Sequence, residues 1–139
     1  MCGPLVGGAF LAQAIASLLD IEFYYTERFV PPVRDTLYPV QYTIPHGVAT
    51  MLRGKAVAVV DDAISAGSAV RASLAALQSN GAKPVAVGAL LILGTQAERF
   101  CREQSLALEY IAHLPYDVWL PTECPMCASG LMLEDMGAP

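Results

Sequence analysis

The most informative feature of this sequence is an uncharged run of four apolar residues that two carboxylates follow directly. It limits the possible folds of the chain more than any other feature does. Residues 57–60 read Val-Ala-Val-Val, which is typical of a short parallel strand buried on both faces. Asp61 and Asp62 come next, and the small residues 65–68 then open a helical pattern. In an open α/β sheet, ligands bind outside the carboxyl ends of the strands, and a helix N-terminus there presents free N–H groups to an anion. The stretch therefore predicts a site for a sugar phosphate.

The rest of the chain alternates between strand and helix patterns. Apolar spacing predicts helices over 9–19, 67–80 and 95–104, and β-rich runs predict strands over 21–25, 40–44, 55–60, 84–93 and 106–112. This alternation predicts an α/β fold, a parallel sheet flanked by helices. Residues 26–53 otherwise read as a long loop, which in a compact domain is functional or disordered. We expect a core over 1–113 and a C-terminal tail over 114–139 that carries a cysteine pair.

The stretch around the two acids resembles the signature of the type I phosphoribosyltransferases. In that family the acids hold the ribose hydroxyls of phosphoribosyl pyrophosphate (PRPP), and the loop that follows binds its 5-phosphate. The resemblance assigns the ribose, and a magnesium ion held indirectly, to Asp61 and Asp62. Family members usually carry more threonines and glycines in the loop. It assigns the 5-phosphate to five residues: Ser65, Ala66, Gly67, Ser68 and Ala69.

A glycine-rich turn at the start of the chain gives a second match. Residues 3–12 read Gly-Pro-Leu-Val-Gly-Gly-Ala-Phe-Leu-Ala and look like the pyrophosphate-binding turn of orotate phosphoribosyltransferase-like proteins. Glycines allow the backbone to approach an anion closely, and the helix that follows adds its positive end. The alternative is a glycine-rich turn before a core helix. The resemblance assigns the pyrophosphate to Pro4, Leu5, Val6, Gly7 and Gly8.

Only Met1 and Cys2 precede the glycine-rich turn. The resemblance implies a first strand at that point, and before it an N-terminal hood that covers the nucleobase. We therefore expect a core that lacks most of the N-terminal strand and the hood. Three explanations stay open: a truncated relative, a gap filled by another chain, or a sheet that closes differently.

The region before the acidic strand is poor in cations. Orotate-type enzymes carry arginine, lysines and a His-Gly pair there, whereas this chain offers Arg28, Arg34 and His46, with no lysine before Lys55. We expect Arg34 to stabilise the departing pyrophosphate and His46 to donate a proton near neutral pH. A surface arginine and a solvated loop histidine are the plain alternatives.

The composition of the chain argues against some classes of partner. Apolar residues make up 55% of the chain and charged residues 15%, which predicts a further buried surface, most simply in a homodimer. The net charge is −5 and no basic run occurs, so we expect no nucleic-acid partner.

The uncharged residues 1–19 are broken by glycine and proline. Their helical part is too short to span a bilayer and is a poor signal peptide, so we expect a cytoplasmic protein with no membrane partner.

Cys124 and Cys127 have the spacing of zinc ligands, but a closed zinc site needs four. The other two ligands could come from a second chain, from His113 or from Cys101, and the alternative is a tail with small apolar cysteines. We expect no redox role, because the pair does not open a predicted helix after a strand.

The resemblance implies an enzyme that transfers phosphoribose from PRPP to a nucleobase, orotate or another pyrimidine, with Mg²⁺ and release of pyrophosphate. The alternative is a PRPP- or nucleotide-binding regulatory relative with a degraded catalytic loop.

Overall fold

A computed structural model describes residues 1–29, 41–117, 119 and 122–131. The strands are β1 (Cys2–Pro4), β2 (Tyr24–Phe29), β3 (Gln41–Thr43), β4 (Ala56–Ile64), β5 (Lys83–Leu93) and β6 (Ala107–Leu114). The helices are α1 (Gly7–Leu19), α2 (His46–Ala49), α3 (Ser68–Ser79), α4 (Gln96–Glu103) and α5 (Pro125–Ala128), with a 3₁₀ turn at Thr50–Leu52.

The six strands form one sheet in the order β3-β2-β1-β4-β5-β6. All neighbours are parallel except β3, which runs antiparallel to β2. The short β1 lies at the centre, since Cys2 is opposite Tyr24 of β2 on one side and Val59 of β4 on the other. The predicted α/β class with a largely parallel sheet is confirmed, and the first strand is present as three residues.

Helices cover both faces of the sheet. Successive residues of a strand point to opposite faces. Val60 lines a hollow together with Leu11 and Ile15 of α1, whereas its neighbour Val59 belongs to the buried cluster that contains Leu74 of α3. That cluster is the main core of the domain and includes Leu52, Val57, Val70, Leu77, Val87 and Ile92.

The chain reverses its direction across the sheet between β1 and β4. From β1 it passes through α1 to β2 on one side, and from β4 it passes through α3 to β5 on the other. The loops that leave β1 and β4 therefore diverge and open a crevice at the carboxyl ends of these two strands. Such a topological switch point is where open α/β sheets bind their ligands.

Several boundaries differ from the prediction. β4 continues through the acids to Ile64, because Asp61 and Ile64 pair in register with Ala89 and Ile92 of β5. β2 begins three residues later than predicted and extends to Phe29. The turns α2, Thr50–Leu52 and α5 were not predicted, since each is too short to show an apolar period. Val40, the first residue of the predicted third strand, lies outside the described residues.

Among the described residues, none of the helices combines the length and the apolar character that crossing a membrane requires.

One buried polar contact joins the sheet to α3. Thr26 of β2 and Ser73 of α3 are both fully buried, and their hydroxyl oxygens lie 2.6 Å apart, so one donates a hydrogen bond to the other. A buried hydroxyl that loses its partner bears the full cost of desolvation. The pair therefore fixes how α3 packs beside the crevice.

Thr26→Val should lower the free energy of unfolding by about 1–3 kcal/mol, because it leaves the Ser73 hydroxyl buried without a partner. Adding Ser73→Ala should recover part of this loss. Urea unfolding of the two single variants and the double variant measures both effects. A double variant whose loss in free energy of unfolding equals the sum of the two single-variant losses would contradict a direct interaction between the two hydroxyls.

Candidate functional site

The two acids lie in the last part of β4, at the edge of the crevice. Asp61 is 8% exposed, whereas Asp62 is exposed. The backbone N–H of Asp62 donates to Oδ1 of Asp61 at 3.1 Å, and that of Ala63 donates to Oδ1 of Asp62 at 3.0 Å. A local backbone donor thus fixes one oxygen of each carboxylate.

The N-terminus of α1 packs directly against the acids. A Cβ at Gly8 would lie 2.6 Å from Oδ1 of Asp61 and 2.8 Å from the carbonyl oxygen of Val60, and a Cβ at Gly7 would overlap the carboxylate of Asp62. Only glycine therefore fits at Gly8, where backbone blocks a Cβ, whereas at Gly7 the exposed side chain of Asp62 would have to move. The turn before the helix contains a cis peptide bond between Leu5 and Val6. Its Leu5 N–H donates to the carbonyl of Thr26 in β2 at 2.9 Å.

Two helix N-termini face the crevice. The first turns of α1 and α3 contain no acidic residue, and no side chain caps either helix. The N–H groups of a first helical turn have no partner within the helix, so both ends can bind an anion. At α3 the N-cap residue Gly67 has a φ of 79°, a left-handed conformation that favours glycine.

A hollow of about 280 Å³ connects an acid to the loop before α3. Asp61 lines it together with residues 63–70. All five residues assigned to the 5-phosphate line this one hollow. The glycines assigned to the pyrophosphate contact the same two acids from α1. The structure therefore brings the two loops and the acid pair together.

Burial strongly perturbs the pKa of Asp61. Desolvation, with smaller contributions from the hydrogen bond and the negative charge of Asp62, raises it from 3.8 to about 7. An acid with a neighbouring acid and few solvent contacts resists ionisation. Such groups concentrate at functional sites, where a ligand or ion supplies the missing compensation.

Sequence reasoning missed two residues near this site. Tyr42 of β3 lies opposite Arg28 of β2; burial raises the pKa of its hydroxyl, the charge of Asp61 raises it further, and Arg28 opposes the shift. Arg71 of α3 has its Nε 3.6 Å from the position of a Cβ on Gly67, and its guanidinium stacks on Phe100 at 4.5 Å. The spacing of Arg71 from Gly67, one helical turn, could have indicated a cation at this loop.

Of the other two predicted catalytic residues, the structure describes only His46, and it does not bring this residue to the acids. Arg34 lies outside the described residues. His46 is exposed at the start of α2 and lines a different hollow, of about 790 Å³, between β3 and α3. The roles predicted for both residues remain predictions.

Carboxylate oxygens suit Mg²⁺, which keeps several waters and binds through one or two carboxylates together with substrate phosphates. The carboxylates of Asp61 and Asp62 are groups of that kind. Within the described ranges no group of three or more His, Cys, Asp or Glu side chains could hold a metal. A zinc site built on Cys124 and Cys127 is therefore not indicated in the part of the chain that the structure describes.

The fold is that of the phosphoribosyltransferases. The structure matches orotate phosphoribosyltransferase from Aeropyrum pernix with a TM-score of 0.62 and 24% identity, over 81% of this chain and 59% of the other. It matches adenine phosphoribosyltransferase from Trypanosoma brucei, in complex with AMP, pyrophosphate and ribose 5-phosphate, with a TM-score of 0.64 and 18% identity, over 81% and 54%. At these identities the likeness establishes the fold.

In sequence the chain is similar to orotate phosphoribosyltransferase. It is 27% identical to the enzyme of Helicobacter pylori strain G27 over 143 residues, which cover 96% of this chain and 66% of the relative. The chain thus spans just under two thirds of the length of the curated relatives it matches. No family model matches it. The expected resemblance to type I phosphoribosyltransferases, and among them to orotate phosphoribosyltransferase-like proteins, is confirmed.

Gly8→Ala should lower the free energy of unfolding by about 1–3 kcal/mol, because its methyl group meets the backbone of Val60 and the carboxylate of Asp61 at overpacked distances. Gly47→Ala is the matched control, since a Cβ there would have no neighbour within 4 Å. Urea unfolding measures both variants. Equal stability of the two would contradict the close packing of α1 against the acids.

Asp61→Asn should stabilise the ligand-free protein at pH 8. A group whose pKa is raised by folding contributes its stability at low pH, below its unfolded value of 3.8, and loses it as the pH rises through about 7. Relative to wild type, the variant should therefore gain about 2 kcal/mol or more between pH 5 and pH 8.

Thermal or urea unfolding at both pH values measures this gain. Asp20→Asn is the control, because it removes the same charge from an exposed position. A gain of equal size in both variants would attribute the effect to net charge and contradict the account of Asp61.

Proposed function

We propose that this chain binds PRPP at the crevice between β1 and β4 and transfers its phosphoribosyl group to a nucleobase nitrogen, with release of pyrophosphate. The observation that carries the proposal is the convergence of two uncapped helix N-termini on one acid pair at the switch point. PRPP has two phosphate-bearing ends with a ribose between them. The crevice matches this arrangement, because its two helix N-termini can bind phosphates and the acid pair between them can accept hydrogen bonds from ribose hydroxyls.

Each part of the substrate has a proposed contact. The carboxylates of Asp61 and Asp62 accept hydrogen bonds from the ribose hydroxyls. The N–H groups at the start of α3 hold the 5-phosphate, with Arg71 adding positive charge beside Gly67. The turn from Pro4 to Gly8 holds the pyrophosphate at the positive end of α1.

The same contacts account for the chemistry. When the bond between the ribose carbon and pyrophosphate breaks, positive charge develops on the sugar and negative charge on the leaving group. The carboxylates of Asp61 and Asp62 stabilise the first charge, and the N–H groups of the α1 turn stabilise the second. Bound Mg²⁺ would supply further charge neutralisation to the pyrophosphate. The base nitrogen then forms its bond to the ribose carbon and gives up its proton, and pyrophosphate departs.

The names of the relatives support the choice of base. The curated relatives are orotate phosphoribosyltransferases, and we propose orotate, a pyrimidine, as the acceptor. Arg34 and His46 keep their proposed roles toward pyrophosphate and in proton donation. We further propose that the protein acts as a homodimer, because large apolar side chains such as Leu18 and Ile111 are 86% and 80% exposed.

Calorimetric titration with PRPP and Mg²⁺ should give binding in the micromolar range, because both anion sites are engaged together. The double variant Asp61→Asn/Asp62→Asn should weaken binding at least tenfold, and Asp20→Asn should leave it unchanged. The double variant should stay folded, since the Asp61 substitution is expected to stabilise the protein. Full binding by the double variant would contradict the assignment of the acids.

Turnover separates catalysis from binding alone. Pyrophosphate release from PRPP should require a base, be fastest with orotate in a panel of pyrimidines and purines, and vanish in the double variant. Release with a purine alone would overturn the proposed base. Tight PRPP binding with no release for any base would identify a binding or regulatory relative.

A further inference from the structure

The two cysteines of the tail lie on one helical turn. Sequence analysis expected no helix at this pair, but Cys124 is the N-cap residue of α5, whose first residue is Pro125. The N–H of Ala128 donates to the carbonyl of Cys124 at 3.0 Å, and that of Gly130 donates to the carbonyl of Cys127 at 3.1 Å. Residues three positions apart on a helix are neighbours. The backbone therefore holds the two thiols side by side, and the pair does open a short helix, although this helix does not directly follow a strand.

The two thiols differ in a way that suits a sequence of attack and resolution. The surroundings of the two thiols shift their pKa values in opposite directions, since the backbone of Cys127 lowers the pKa of Cys124. The contact with Cys124 in turn raises the pKa of Cys127. Both side chains are partly exposed. Cys124 is thus the thiol that ionises first, and Cys127 lies beside it.

The other two cysteines provide an internal contrast. Cys2 and Cys101 are buried, with 0% and 2% exposure. Burial raises the pKa of the Cys2 thiol to about 12 and also raises that of Cys101. A thiol reacts as its thiolate and only where a reagent can reach it. In the folded protein, therefore, a reagent can reach the thiols of Cys124 and Cys127 but not those of Cys2 and Cys101.

We propose that Cys124 and Cys127 form a redox-active dithiol that exchanges with the disulfides of small thiols and closes an intramolecular disulfide. The Cys124 thiolate attacks one sulfur of a disulfide such as oxidised glutathione, and one glutathione leaves as the thiolate. Cys127, after losing its proton, attacks Sγ of Cys124, breaks the mixed disulfide and releases the second glutathione. The dithiol is oxidised by two electrons, and one glutathione disulfide is reduced to two thiols.

Zinc is the competing ligand for such a pair. A structural zinc ion needs four ligands, and across the described ranges the pair has no third His, Cys, Asp or Glu beside it. Two of the predicted candidates are engaged elsewhere, since Cys101 is buried and Nε2 of His113 lies 2.9 Å from the carbonyl oxygen of Gly94; a second chain stays the third candidate. The arrangement therefore favours disulfide exchange over metal binding.

Equilibration with glutathione at varied redox ratios tests the proposal on the full chain. Acid quenching, alkylation after unfolding and intact mass should show the alkylatable thiols falling from four to two in one step, with no dimer. Peptide mapping should assign the lost pair to Cys124 and Cys127. Four free thiols at every ratio, or a disulfide between chains only, would overturn it.

Single variants test the order of attack. Cys127→Ser should stop at a mixed disulfide between Cys124 and glutathione, whereas Cys124→Ser should form its adduct at least tenfold more slowly. Equal adduct rates would overturn the assigned roles. Zinc near one ion per chain or per two chains after dialysis, with thiols that react only after chelation, would replace the redox site by a metal site.

Discussion

The contact between the N-terminal glycines of α1 and the acid pair of β4 determines the geometry of this structure. β1 is only three residues long and meets β4 through a single register pair, Cys2 with Val59. Its central position therefore depends on how closely α1 can follow it over the sheet. Gly7 and Gly8 permit that approach, because side chains there would occupy the space of the carboxylates. The same approach directs the positive end of α1 toward Asp61 and Asp62.

A site assembled in this way is unfavourable without its ligand. Asp61 is nearly buried beside a second acid, and its raised pKa reports the free energy that ionisation costs there. The first-turn N–H groups of α1 and α3 have no side-chain cap. A ligand with hydroxyls between two anionic groups would supply hydrogen bonds to the buried acid and anions to the N–H groups of both helices at the same time. Conflicts of this kind between local stability and structure are expected at functional sites.

Much of the fold followed from local sequence patterns. The runs that became α1, α3, β4 and β5 have strong apolar periods and clear stop residues such as Gly81. The acids were identified because two carboxylates directly follow an apolar run, and the roles of the acids and of both loops came from the resemblance to the phosphoribosyltransferases. Four-residue turns such as α2 and α5 span too little sequence to show a period. The continuation of β4 through Asp61 depends on pairing with β5, a long-range contact that local sequence does not encode.

The two residues near the site that the sequence did not indicate, Tyr42 and Arg71, also depend on long-range contacts. Tyr42 reads as one member of an alternating strand, and its proximity to Asp61 arises only when β3 pairs with β2. Arg71 reads as a helix surface residue, and its stacking on Phe100 depends on the packing of α4 beside α3. The cysteine pair was recognised from its spacing, but the helical turn that orients its thiols was not.

The most direct test of the account separates the two anion sites. Backbone amide NMR of the isotope-labelled protein, titrated in parallel with ribose 5-phosphate and with pyrophosphate in the presence of Mg²⁺, observes each N–H group by itself. Ribose 5-phosphate should shift the amides of residues 65–69, and pyrophosphate should shift those of Gly7 and Gly8. Shifts confined to the hollow around His46, or none at either loop, would contradict the convergence of two anion sites on one acid pair.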